Sequence, residues 1–505
     1  MTDHVVGQNR DQGVALDSLL SGLVDPATIP SVMVSGLQLD SRAVKPGDLF
    51  VALSGQHSHG LNHADQAIEK GCAAIIHDPV GAAGTLDVLG QCPAVPVEGL
   101  QSRLGLIADR FFGEPSRDLT VIAVTGTNGK TSCSHFVAEA LQSTQVAATI
   151  GTLGWGIPGQ LKSTTHTTPN AVEVHRLLDQ LRGAGCRTVV MEASSHGLAQ
   201  GRLNGVRFQG ALFTNFSRDH LDYHGTMEAY RDAKLALLDW PDLKFVVFNA
   251  GDAGMAEAIL NRVRPGIALT GFALDPAVEA RVPLMHVSSI SHHAGGIGFS
   301  VDWQGETTKI KAPVFGDFNV ENLAAALGVL LALGWPLTNA GRALVHVSAV
   351  PGRMDIVSDG NRGAVVDFAH TPDALDSVLT SLRQHCRGRL WVVFGCGGDR
   401  DRGKRSEMGG VADRLADVLV LTDDNPRSED GDAIIADILT GVSRRDVSVI
   451  RDRRAAIQHA LNTAAEHDLV LVAGKGHETT QEIDGQKYPF SDRLVVQEIL
   501  QTLRA

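Results

Sequence analysis

The sequence predicts an α/β protein built from three domains, two of which contain a doubly wound sheet. Short β-rich apolar runs alternate with longer helical patterns along the chain, which is the pattern of sheets whose strands are connected by helices. The length of 505 residues suits about three domains. Chain-breaking segments rich in Gly and Pro lie at residues 112–116 and 350–353. We therefore predict domains at residues 1–117, 118–349 and 350–505.

Eight β-rich runs are predicted as strands that end in polar or Gly-rich residues. Four fall in the middle domain and four in the last, at residues 120–125, 187–192, 210–215, 245–249, 363–368, 389–395, 418–422 and 469–473. Ligands of open parallel sheets bind beyond the carboxyl ends of the strands. We therefore expect Thr125, Glu192 and Asn215 to lie close together, and we predict a second, Rossmann-like sheet in the last domain.

Composition and charge exclude several classes of partner. The formal net charge of −13 argues against broad binding to nucleic acid or to an anionic membrane. The longest apolar run, near residues 323–335, is too short to span a bilayer and is predicted as a buried helix. The N-terminal residues lack the pattern of a secretory signal, and the six cysteines are scattered. We expect a cytoplasmic monomer with reduced thiols, small-molecule substrates and no membrane insertion.

The strongest single motif is a Gly-rich turn between a strand and a helix. The apolar run at residues 120–125 continues into Gly126-Thr127-Asn128-Gly129-Lys130-Thr131-Ser132. Backbone N–H groups of such a turn bind phosphates, a lysine neutralises them and a threonine ligates Mg²⁺. Val124 stands where the usual loop has its first glycine, so this loop is a shortened variant. A turn without a ligand is the alternative, but we predict a P-loop ATPase-like domain.

Polar clusters follow the next two predicted strands. Glu192 ends one strand, and His220 lies in the segment that follows the other. A nucleoside triphosphate requires Mg²⁺ held by hard oxygen ligands, so Glu192 is a candidate metal ligand and His220 a candidate for a second ion. Loop side chains with purely structural partners are the alternative. Lys234 lies in a helical stretch, and composition alone predicts that it is a surface lysine.

Several motifs together resemble one family. TGTNGKTS, MEASSHGL, TNFSRDHLDYHG followed by Lys234, GDFNVENLAAAL, PGRM, DFAHTPDAL, GCGGDRDRGKR and DNPR occur in this order. They resemble the Mur ligases of peptidoglycan synthesis, from Leu39 to the region of Arg493. The resemblance implies three domains that bind, in order, a UDP-linked substrate, ATP and an amino acid. It also implies a role in cell wall biogenesis, cell shape and cell division.

The resemblance further implies a reaction and a set of nucleotide and metal residues. ATP phosphorylates a substrate carboxylate, the amine of the amino acid attacks the acyl-phosphate, and phosphate leaves. Residues 126–132 match the phosphate-binding positions, Asn319 and Asn322 match positions near the adenine, and Arg353 matches a nucleotide-side arginine followed by Asp367 and His370. The implied catalytic and metal residues are Lys130, Thr131, Glu192, His220 and Lys234, with Lys234 carried as a carbamate that holds a second Mg²⁺.

Two further groups of positions match substrate contacts of the family. Those on the uridine side are Leu39, Ser41, Gln56 and His57. Those around the muramoyl dipeptide are Thr167, Thr168, Ser194, Gln200 and Arg202. An arginine such as Arg202 suits an anionic peptide carboxylate.

The segment Asp424-Asn425-Pro426-Arg427 indicates which amino acid is added. An Asn-Pro dipeptide alone predicts only a turn, but the resemblance is to members that add meso-diaminopimelate to UDP-MurNAc-L-Ala-D-Glu. Diaminopimelate carries a second carboxylate that lysine lacks, and we expect Arg427 to pair with it bidentately. Arg400, Gly474 and Glu478 match further contacts, with Arg400 suited to a carboxylate and Glu478 to an ammonium. The LL stereoisomer is not excluded by the sequence.

Two other functions remain open at this point. A folate-polyglutamate-type ligase shares the short GTNGKT loop, although the N-terminal domain and Arg427 argue against it. A non-catalytic nucleotide-binding or scaffold protein would keep the fold without needing Lys130, Glu192, His220 and Lys234.

Overall fold

The computed structural model describes residues 13–55, 58–82, 92–164, 166–279, 281–293, 296–358 and 363–504. The chain divides into two compact units. The first contains the chain up to Phe272 with Val278–Leu284 and Gly328–Gly334, and the second contains Ala273–Ala277, Met285–Leu327 and the chain from Trp335 onward. The boundaries predicted for three domains remain predictions.

The first unit begins with a small parallel sheet. Its strands lie in the order β3-β4-β5-β6. Strands β1 and β2 form a separate antiparallel pair. The apolar residues of β4 and β5 alternate between two buried clusters on opposite faces of this sheet, so both faces are covered. The elements are β1 (Val14–Ala15), α1 (Leu16–Leu20), β2 (Met33–Val34), β3 (Gly36–Gln38), β4 (Asp48–Ala52), α2 (Ala64–Glu69), β5 (Ala74–His77), β6 (Ala94–Pro96) and α3 (Leu100–Phe111).

A larger, mainly parallel sheet follows in the same unit. Its strands lie in the order β13-β12-β11-β7-β10-β8-β9, and only β8–β9 among these pairs is antiparallel. The elements are β7 (Thr120–Thr125), α4 (Lys130–Leu141), β8 (Ala147–Gly151), β9 (Gly154–Gly156), α5 (Ala171–Gly183), β10 (Thr188–Glu192), α6 (Ser195–Ala199), β11 (Phe208–Phe213), α7 (Leu221–His224), α8 (Met227–Leu235), β12 (Phe245–Asn249), α9 (Ala253–Arg262) and β13 (Ala268–Ala273).

The register of this sheet places the polar strand ends together. Glu192 of β10 pairs with Val124, and Phe213 of β11 pairs with Thr125. Strand β7 therefore lies between the two strands that carry the predicted site residues. The four strands predicted for the middle domain are confirmed: two have the predicted ends, and the ends of the other two shift by at most two residues.

The second unit contains a run of antiparallel strands and a doubly wound sheet. The antiparallel strands β14–β16, which the sequence analysis did not identify, precede helix α10. The elements are β14 (Leu284–His293), β15 (Gly296–Trp303), β16 (Glu306–Ala312), α10 (Asp317–Ala332), α11 (Leu337–Leu344), β17 (Asp355–Ser358), β18 (Gly363–Asp367), α12 (Pro372–Arg383), β19 (Leu390–Phe394), α13 (Gly403–Leu415), β20 (Val418–Leu421), α14 (Gly431–Leu439), β21 (Ser448–Val449), α15 (Arg453–Thr463), β22 (Leu469–Ala473), β23 (Thr480–Ile483), β24 (Gln486–Pro489) and α16 (Asp492–Arg504).

The doubly wound sheet has the strand order β17-β18-β22-β19-β20-β21. Successive residues of one strand face opposite sides of a sheet, and here they join two different cores. Val392 and Phe394 pack with α12, α13 and α14, whereas Trp391 and Val393 pack with α15 and α16. Helices therefore cover both faces, which confirms the predicted second sheet and its four predicted strands.

The apolar run near residues 323–335 is confirmed as core. It forms most of α10, and the side chains from Leu323 to Leu327 are 0 or 1% exposed. Among the described residues, the structure has no helix with the length and apolarity needed to cross a membrane.

A buried ion pair joins the last two long helices. Arg453 of α15 and Asp492 of α16 make two hydrogen bonds of 2.7 Å, and both side chains are fully buried. Removing one partner leaves an uncompensated buried charge, so we expect Asp492→Ala to lower the free energy of unfolding by about 3–5 kcal/mol. Urea denaturation measures this. Glu498→Ala, which removes the exposed pair with Arg454 on the same two helices, should change stability little; equal effects would contradict the account.

Candidate functional site

The backbone conformation of the Gly-rich loop in the first unit depends on its two glycines. Gly126 has a φ of 146°, and a Cβ on it would lie 1.8 Å from Oγ1 of Thr214. Gly129 has a φ of 83° and immediately precedes α4. A side chain at either position is incompatible with this turn. Helix α4 then starts at Lys130, so its first N–H groups face the loop, an arrangement that suits anions.

Asn215 fixes the shape of the loop. The N–H of Thr127 donates to the Asn215 carbonyl over 2.9 Å, and the N–H of Asn128 donates to Asn215 Oδ1 over 2.8 Å. The Thr214 hydroxyl in turn donates to the Asn128 carbonyl over 2.6 Å. The expected proximity of Thr125, Glu192 and Asn215 is therefore confirmed around one strand end, and two loop N–H groups already have protein partners.

Lys130 is folded back over the loop. Its Nζ donates to the carbonyls of Gly126 and Thr127 over 2.9 and 2.8 Å. The two loop carbonyls therefore hold the Lys130 ammonium group against the Gly-rich turn.

Glu192 is a buried carboxylate with several donors. It is 1% exposed, and its Oε2 accepts from the Thr131 hydroxyl over 3.1 Å and from the Thr152 hydroxyl over 3.0 Å. Its Oε1 accepts from the Thr152 N–H over 2.8 Å. Gly151 makes room for it, because a Cβ there would lie 2.2 Å from Oε1. The carboxylate is thus oriented toward the first turn of α4.

Lys234 lies inside the protein, so its interpretation as a surface lysine is wrong. The side chain is 1% exposed, its Nζ donates to the Gly126 carbonyl over 2.7 Å, and it lies 4.4 Å from the centre of the Tyr230 ring. Burial, reinforced by the charge of Lys130, holds the pKa of Lys234 well below its usual value. The amine is therefore shifted toward its neutral, nucleophilic form.

His220 belongs to a group of rings beside the loop. It has a left-handed backbone with a φ of 52°, and its ring centre lies 4.8 Å from that of His196 and 6.0 Å from that of Tyr230. His196 also contacts Tyr223, at 4.2 Å between centres. The Tyr230 hydroxyl is 3.2 Å from Thr127 Oγ1, which connects these rings to the Gly-rich loop.

The positions matched to the muramoyl dipeptide form a connected network. Nη1 of Arg202 donates to the Thr168 carbonyl over 2.7 Å, and the Thr168 hydroxyl donates to the Glu192 carbonyl over 2.8 Å. The N–H of Ser194 donates to the Thr168 hydroxyl, and Gln200 accepts from Nε of Arg202 over 2.8 Å. Burial lowers the pKa of Arg202, so an anionic partner would stabilise its charge.

Of the remaining matched positions, one contacts this region and the others lie in the N-terminal part of the chain. The Thr167 hydroxyl oxygen lies 3.0 Å from that of Thr152, so Thr167 is linked to Glu192 through Thr152. On the N-terminal sheet, Leu39 is half-buried and the Ser41 hydroxyl donates to Gln66 over 2.7 Å. Gln56 and His57 lie outside the described residues.

The nucleotide-side positions belong to the second unit. Asn319 and Asn322 are buried on α10, where Asn322 donates to Asn319 over 3.0 Å and Asn319 donates to the Phe315 carbonyl over 2.7 Å. Arg353 stacks over the Phe368 ring at 4.8 Å.

Asp367 ends β18, and His370 lies three residues beyond it. Asp367 is buried and accepts from the N–H groups of Met354 and Ala369. The His370 ring centre lies 4.6 Å from that of Phe368. Burial raises the pKa of Asp367, and the charge of Arg353 opposes that shift.

Arg427 has a strained backbone and a tethered side chain. Its φ is 53°, and its N–H and carbonyl bond to Glu482 and Asp484 of the β23–β24 hairpin. Its Nη1 donates to the Gly398 carbonyl over 2.7 Å, and its Nε lies 3.4 Å from Glu482 Oε2. Such a conformation is rare outside glycine and is typical of functional positions.

Most of the other positions matched to the added amino acid lie around Asn425. Its Nδ2 donates to Asp424 Oδ1 over 3.1 Å and to Glu478 Oε2 over 2.9 Å. Asp424 is buried under Gly474, whose φ is 114° and whose Cβ would lie 2.4 Å from Asp424 Oδ2. Pro426 is buried beside them, and Arg400 is exposed, with its Nη1 donating to the Asp399 carbonyl over 3.0 Å.

Sequence reasoning missed two residues that organise these sites. Thr152, which gives two hydrogen bonds to Glu192, follows β8, a strand that was not predicted. Lys475, which bonds Asn425 and Glu478, directly follows Gly474. The signal for both was their position after the carboxyl end of a parallel strand.

The donor set around Glu192 fits a hard divalent cation. The Glu192 carboxylate and the Thr131 hydroxyl are oxygen donors within 3.1 Å of each other. The described part of the chain contains no cluster of three or more His, Cys, Asp or Glu suited to a metal ion. Mg²⁺ is commonly held by one or two carboxylates plus substrate phosphates and water, so these residues fit Mg²⁺ that arrives with a nucleotide.

Three family models match the chain. "Mur ligase family, catalytic domain" matches residues 33–111, "Mur ligase middle domain" matches 124–330, and "Mur ligase, glutamate ligase domain" matches 352–476. The UDP-N-acetylmuramoyl-L-alanyl-D-glutamate--2,6-diaminopimelate ligase of Xylella fastidiosa (strain Temecula1) is 45% identical over 478 residues, which cover 94% of this chain and 95% of the relative. The enzyme of the same description from Pseudomonas aeruginosa is 44% identical over 477 residues, covering 92% and 95%.

Solved structures give the same comparison for the fold. A structure of UDP-N-acetylmuramoyl-L-alanyl-D-glutamate--2,6-diaminopimelate ligase superposes with a TM-score of 0.71 at 35% identity, covering 98% of this chain and all of that one. The MurF ligase of Thermotoga maritima in complex with ADP has a TM-score of 0.62 at 18% identity, covering 92% and 96%. Mycobacterium tuberculosis folylpolyglutamate synthase, complexed with ADP and AMPPCP, has a TM-score of 0.61 at 18% identity, covering 78% and 93%. The last two share the fold.

Proposed function

This chain belongs to the Mur ligase family, and we propose that it is the ATP-dependent ligase that joins meso-2,6-diaminopimelate to the D-Glu carboxylate of UDP-MurNAc-L-Ala-D-Glu. The reaction passes through an acyl-phosphate, releases ADP and phosphate, and serves peptidoglycan synthesis. The observation that carries the proposal is the tethered Arg427 beside the Asn425–Glu478 pair, because it offers separate partners for a carboxylate and an ammonium. In this proposal the enzyme acts as a cytoplasmic monomer, with domains at 1–117, 118–349 and 350–505.

The first unit activates the carboxylate. Residues 126–132 bind the ATP phosphates. The backbone N–H groups of Thr127 and Asn128 already donate to Asn215, so the N–H groups after Asn128 are the ones that face the phosphates. Lys130 neutralises charge on the phosphoryl group during its transfer to the D-Glu carboxylate. The phosphorylated carboxyl group then has a leaving group and accepts an amine. We also assign Asn319, Asn322 and Arg353 to nucleotide binding.

Mg²⁺ is assigned to the buried carboxylate and its neighbours. Thr131 and Glu192 hold one ion, and His220 and Lys234, as a carbamate, hold a second. Bound Mg²⁺ would neutralise phosphate charge and polarise the transferring phosphoryl group. Thr152 acts through Glu192, since its two hydrogen bonds fix the carboxylate orientation.

The environment of Lys234 supports its assignment as a carbamate. A neutral amine is the form that adds carbon dioxide, and burial together with Lys130 shifts Lys234 toward that form. The product is an anion, which suits a position beside the Lys130 cation better than a second ammonium does.

The substrate carboxylates and ammonium have separate partners. Arg202 with Thr167, Thr168, Ser194 and Gln200 binds the muramoyl dipeptide, and Leu39, Ser41, Gln56 and His57 bind the uridine side. Arg427 and Arg400 take carboxylates of diaminopimelate, and Glu478 takes an ammonium. Asp424, Asn425, Pro426 and Gly474 complete that pocket.

A phosphate-release assay tests the proposal. Release should require ATP, Mg²⁺, UDP-MurNAc-L-Ala-D-Glu and diaminopimelate together, and lysine should not replace diaminopimelate. The folate-polyglutamate ligase is the runner-up, favoured by the fold shared with folylpolyglutamate synthase. Release driven by a folate and glutamate, with none from diaminopimelate, would overturn the proposal in its favour.

Arg427→Ala tests the specificity assignment. The variant loses a charge-assisted bidentate partner for the far carboxylate, so we expect the KM for diaminopimelate to rise by about 10- to 100-fold. The KM for ATP should change little. Steady-state kinetics with each substrate varied in turn measures both, and Arg454→Ala, an exposed arginine of the same unit, is the control. Equal effects on the two KM values would contradict the assigned role.

A further inference from the structure

The buried amine of Lys475 is the centre of the hydrogen-bond network around Asn425. Lys475 follows β22, and its side chain is fully buried. Its Nζ donates to Asn425 Oδ1 over 2.9 Å and to Glu478 Oε2 over 2.7 Å. A fully buried lysine is rare unless it is paired, and here both partners belong to the proposed amino-acid pocket. We propose that Lys475 is a positioning residue that fixes the Asn425 amide and holds Glu478 charged and correctly oriented for the ammonium group of the incoming diamine.

The orientation of the Asn425 amide depends on Lys475. An ammonium group donates hydrogen bonds and accepts none, so the amide must present its oxygen to Lys475. The same oxygen also accepts from the Glu482 N–H over 2.9 Å. The amide nitrogen is therefore left to donate to Glu478 and Asp424. Without the lysine, one of the two donors that fix this orientation is lost.

The orientation of Glu478 follows from the same contacts. Lys475 and Asn425 both donate to Oε2, and among the described residues Oε1 receives no hydrogen bond. The Glu478 side chain is 33% exposed. One oxygen is thus anchored inside the protein while the other remains for a ligand.

Lys475 also controls the charge of Glu478. Burial acts to raise the pKa of this carboxyl group, but the charge and hydrogen bond of Lys475, together with the Asn425 hydrogen bond and His477, outweigh burial, so the pKa lies below its usual value. The charged and titratable groups of this region are Asp424, Arg427, Arg453, Lys475, His477, Glu478, Glu482 and Asp492. Loss of Lys475 would remove both of its pKa-lowering influences on Glu478, and only the Asn425 hydrogen bond and His477 would remain to oppose the effect of burial.

The test is Lys475→Met, which keeps the length of the side chain and removes its charge. This inference rests on the proposed function, so wild-type enzyme is assayed first; absence of diaminopimelate-dependent phosphate release would overturn that function. With an active wild type, we expect Lys475→Met to raise the KM for diaminopimelate by about 10- to 100-fold. The KM values for ATP and UDP-MurNAc-L-Ala-D-Glu should stay near wild type. Lys487→Met, at an exposed position of β24, is the matched control.

Two readouts separate positioning from a structural role. In a Glu478→Gln background, Lys475→Met should add little to the KM for diaminopimelate because its partner is already neutral. In the single variant, that KM should rise as the pH falls from about 8 to about 5.5, since Glu478 takes up a proton at higher pH than in wild type. The proposal would be overturned if the KM for diaminopimelate of the double variant rose by the product of the two single-variant effects. It would also be overturned if Lys475→Met raised all three KM values by the same factor.

A measurement on wild type decides the matter if Lys475→Met does not fold. Because Lys475 holds Glu478 ionised, the wild-type KM for diaminopimelate should stay flat over the same range of pH. A rise at low pH that Glu478→Gln lacks would mean that Glu478 titrates despite the lysine, and the proposal would be wrong.

Discussion

Lys130→Ala should reduce diaminopimelate-dependent phosphate release by about 10³-fold or more, since a cation placed on a transferring phosphoryl group is worth that much. The structure gives the physical reason. Lys130 is held against the loop by two carbonyls, Gly126 and Thr127, so its charge is in place before the nucleotide binds and needs no rearrangement during transfer.

Lys244→Ala provides the control, because this lysine is exposed and lies outside the loop. Its turnover should match wild type. Complementation of cells that lack their own ligase gives a second readout. A scaffold protein would tolerate Lys130→Ala there, so growth with the variant would contradict catalysis by this loop.

Lys234→Ala should lower turnover by about 10²- to 10³-fold, and added bicarbonate should not restore it. The amine carries the carbamate in our proposal, so alanine removes the group on which it forms. Lys234→Arg should be equally inactive, because it keeps a cation where the proposal needs an anion. Turnover with saturating substrates measures both variants, and the melting temperature shows whether each is folded. Near-normal turnover of either folded variant would contradict the carbamate.

Wild-type enzyme provides a complementary measurement. Carbamate formation is reversible, so removal of carbon dioxide from the buffer should lower wild-type activity, and bicarbonate should restore it. Activity that is indifferent to carbon dioxide, with Lys234→Ala still inactive, would leave the buried amine with a different role, such as holding the Gly126 carbonyl.

The sequence predicted the parallel strands well because buried parallel strands are continuous apolar runs. Strands β7, β12 and β22 contain no polar residue between their first and last positions. It did not identify β14 to β16, since their exposed residues are mostly polar or charged and the strands pair locally as hairpins. Short edge strands such as β21 were missed for a related reason: two residues carry too little periodicity.

In the candidate site too, some residues can be predicted from the sequence and others only from the fold. Gly126, Lys130 and Thr131 form a contiguous motif, so their chemistry is readable from spacing alone. The burial of Lys234 depends on how α8 packs against the loop, which composition cannot report. Thr152 acts on a residue 40 positions away, and such pairs become visible only when the sheet brings its strand ends together.

The central claim is that nucleotide cleavage activates a carboxyl group for attack by diaminopimelate. The direct test is to supply UDP-MurNAc-L-Ala-D-Glu with heavy oxygen in the D-Glu carboxylates and to analyse the phosphate released with ATP and diaminopimelate. We predict that the phosphate carries a heavy oxygen from the carboxylate and that the muramoyl product gains the mass of diaminopimelate less two hydrogens and that heavy oxygen. Unlabelled phosphate, or label transfer that proceeds equally with lysine, would contradict the account.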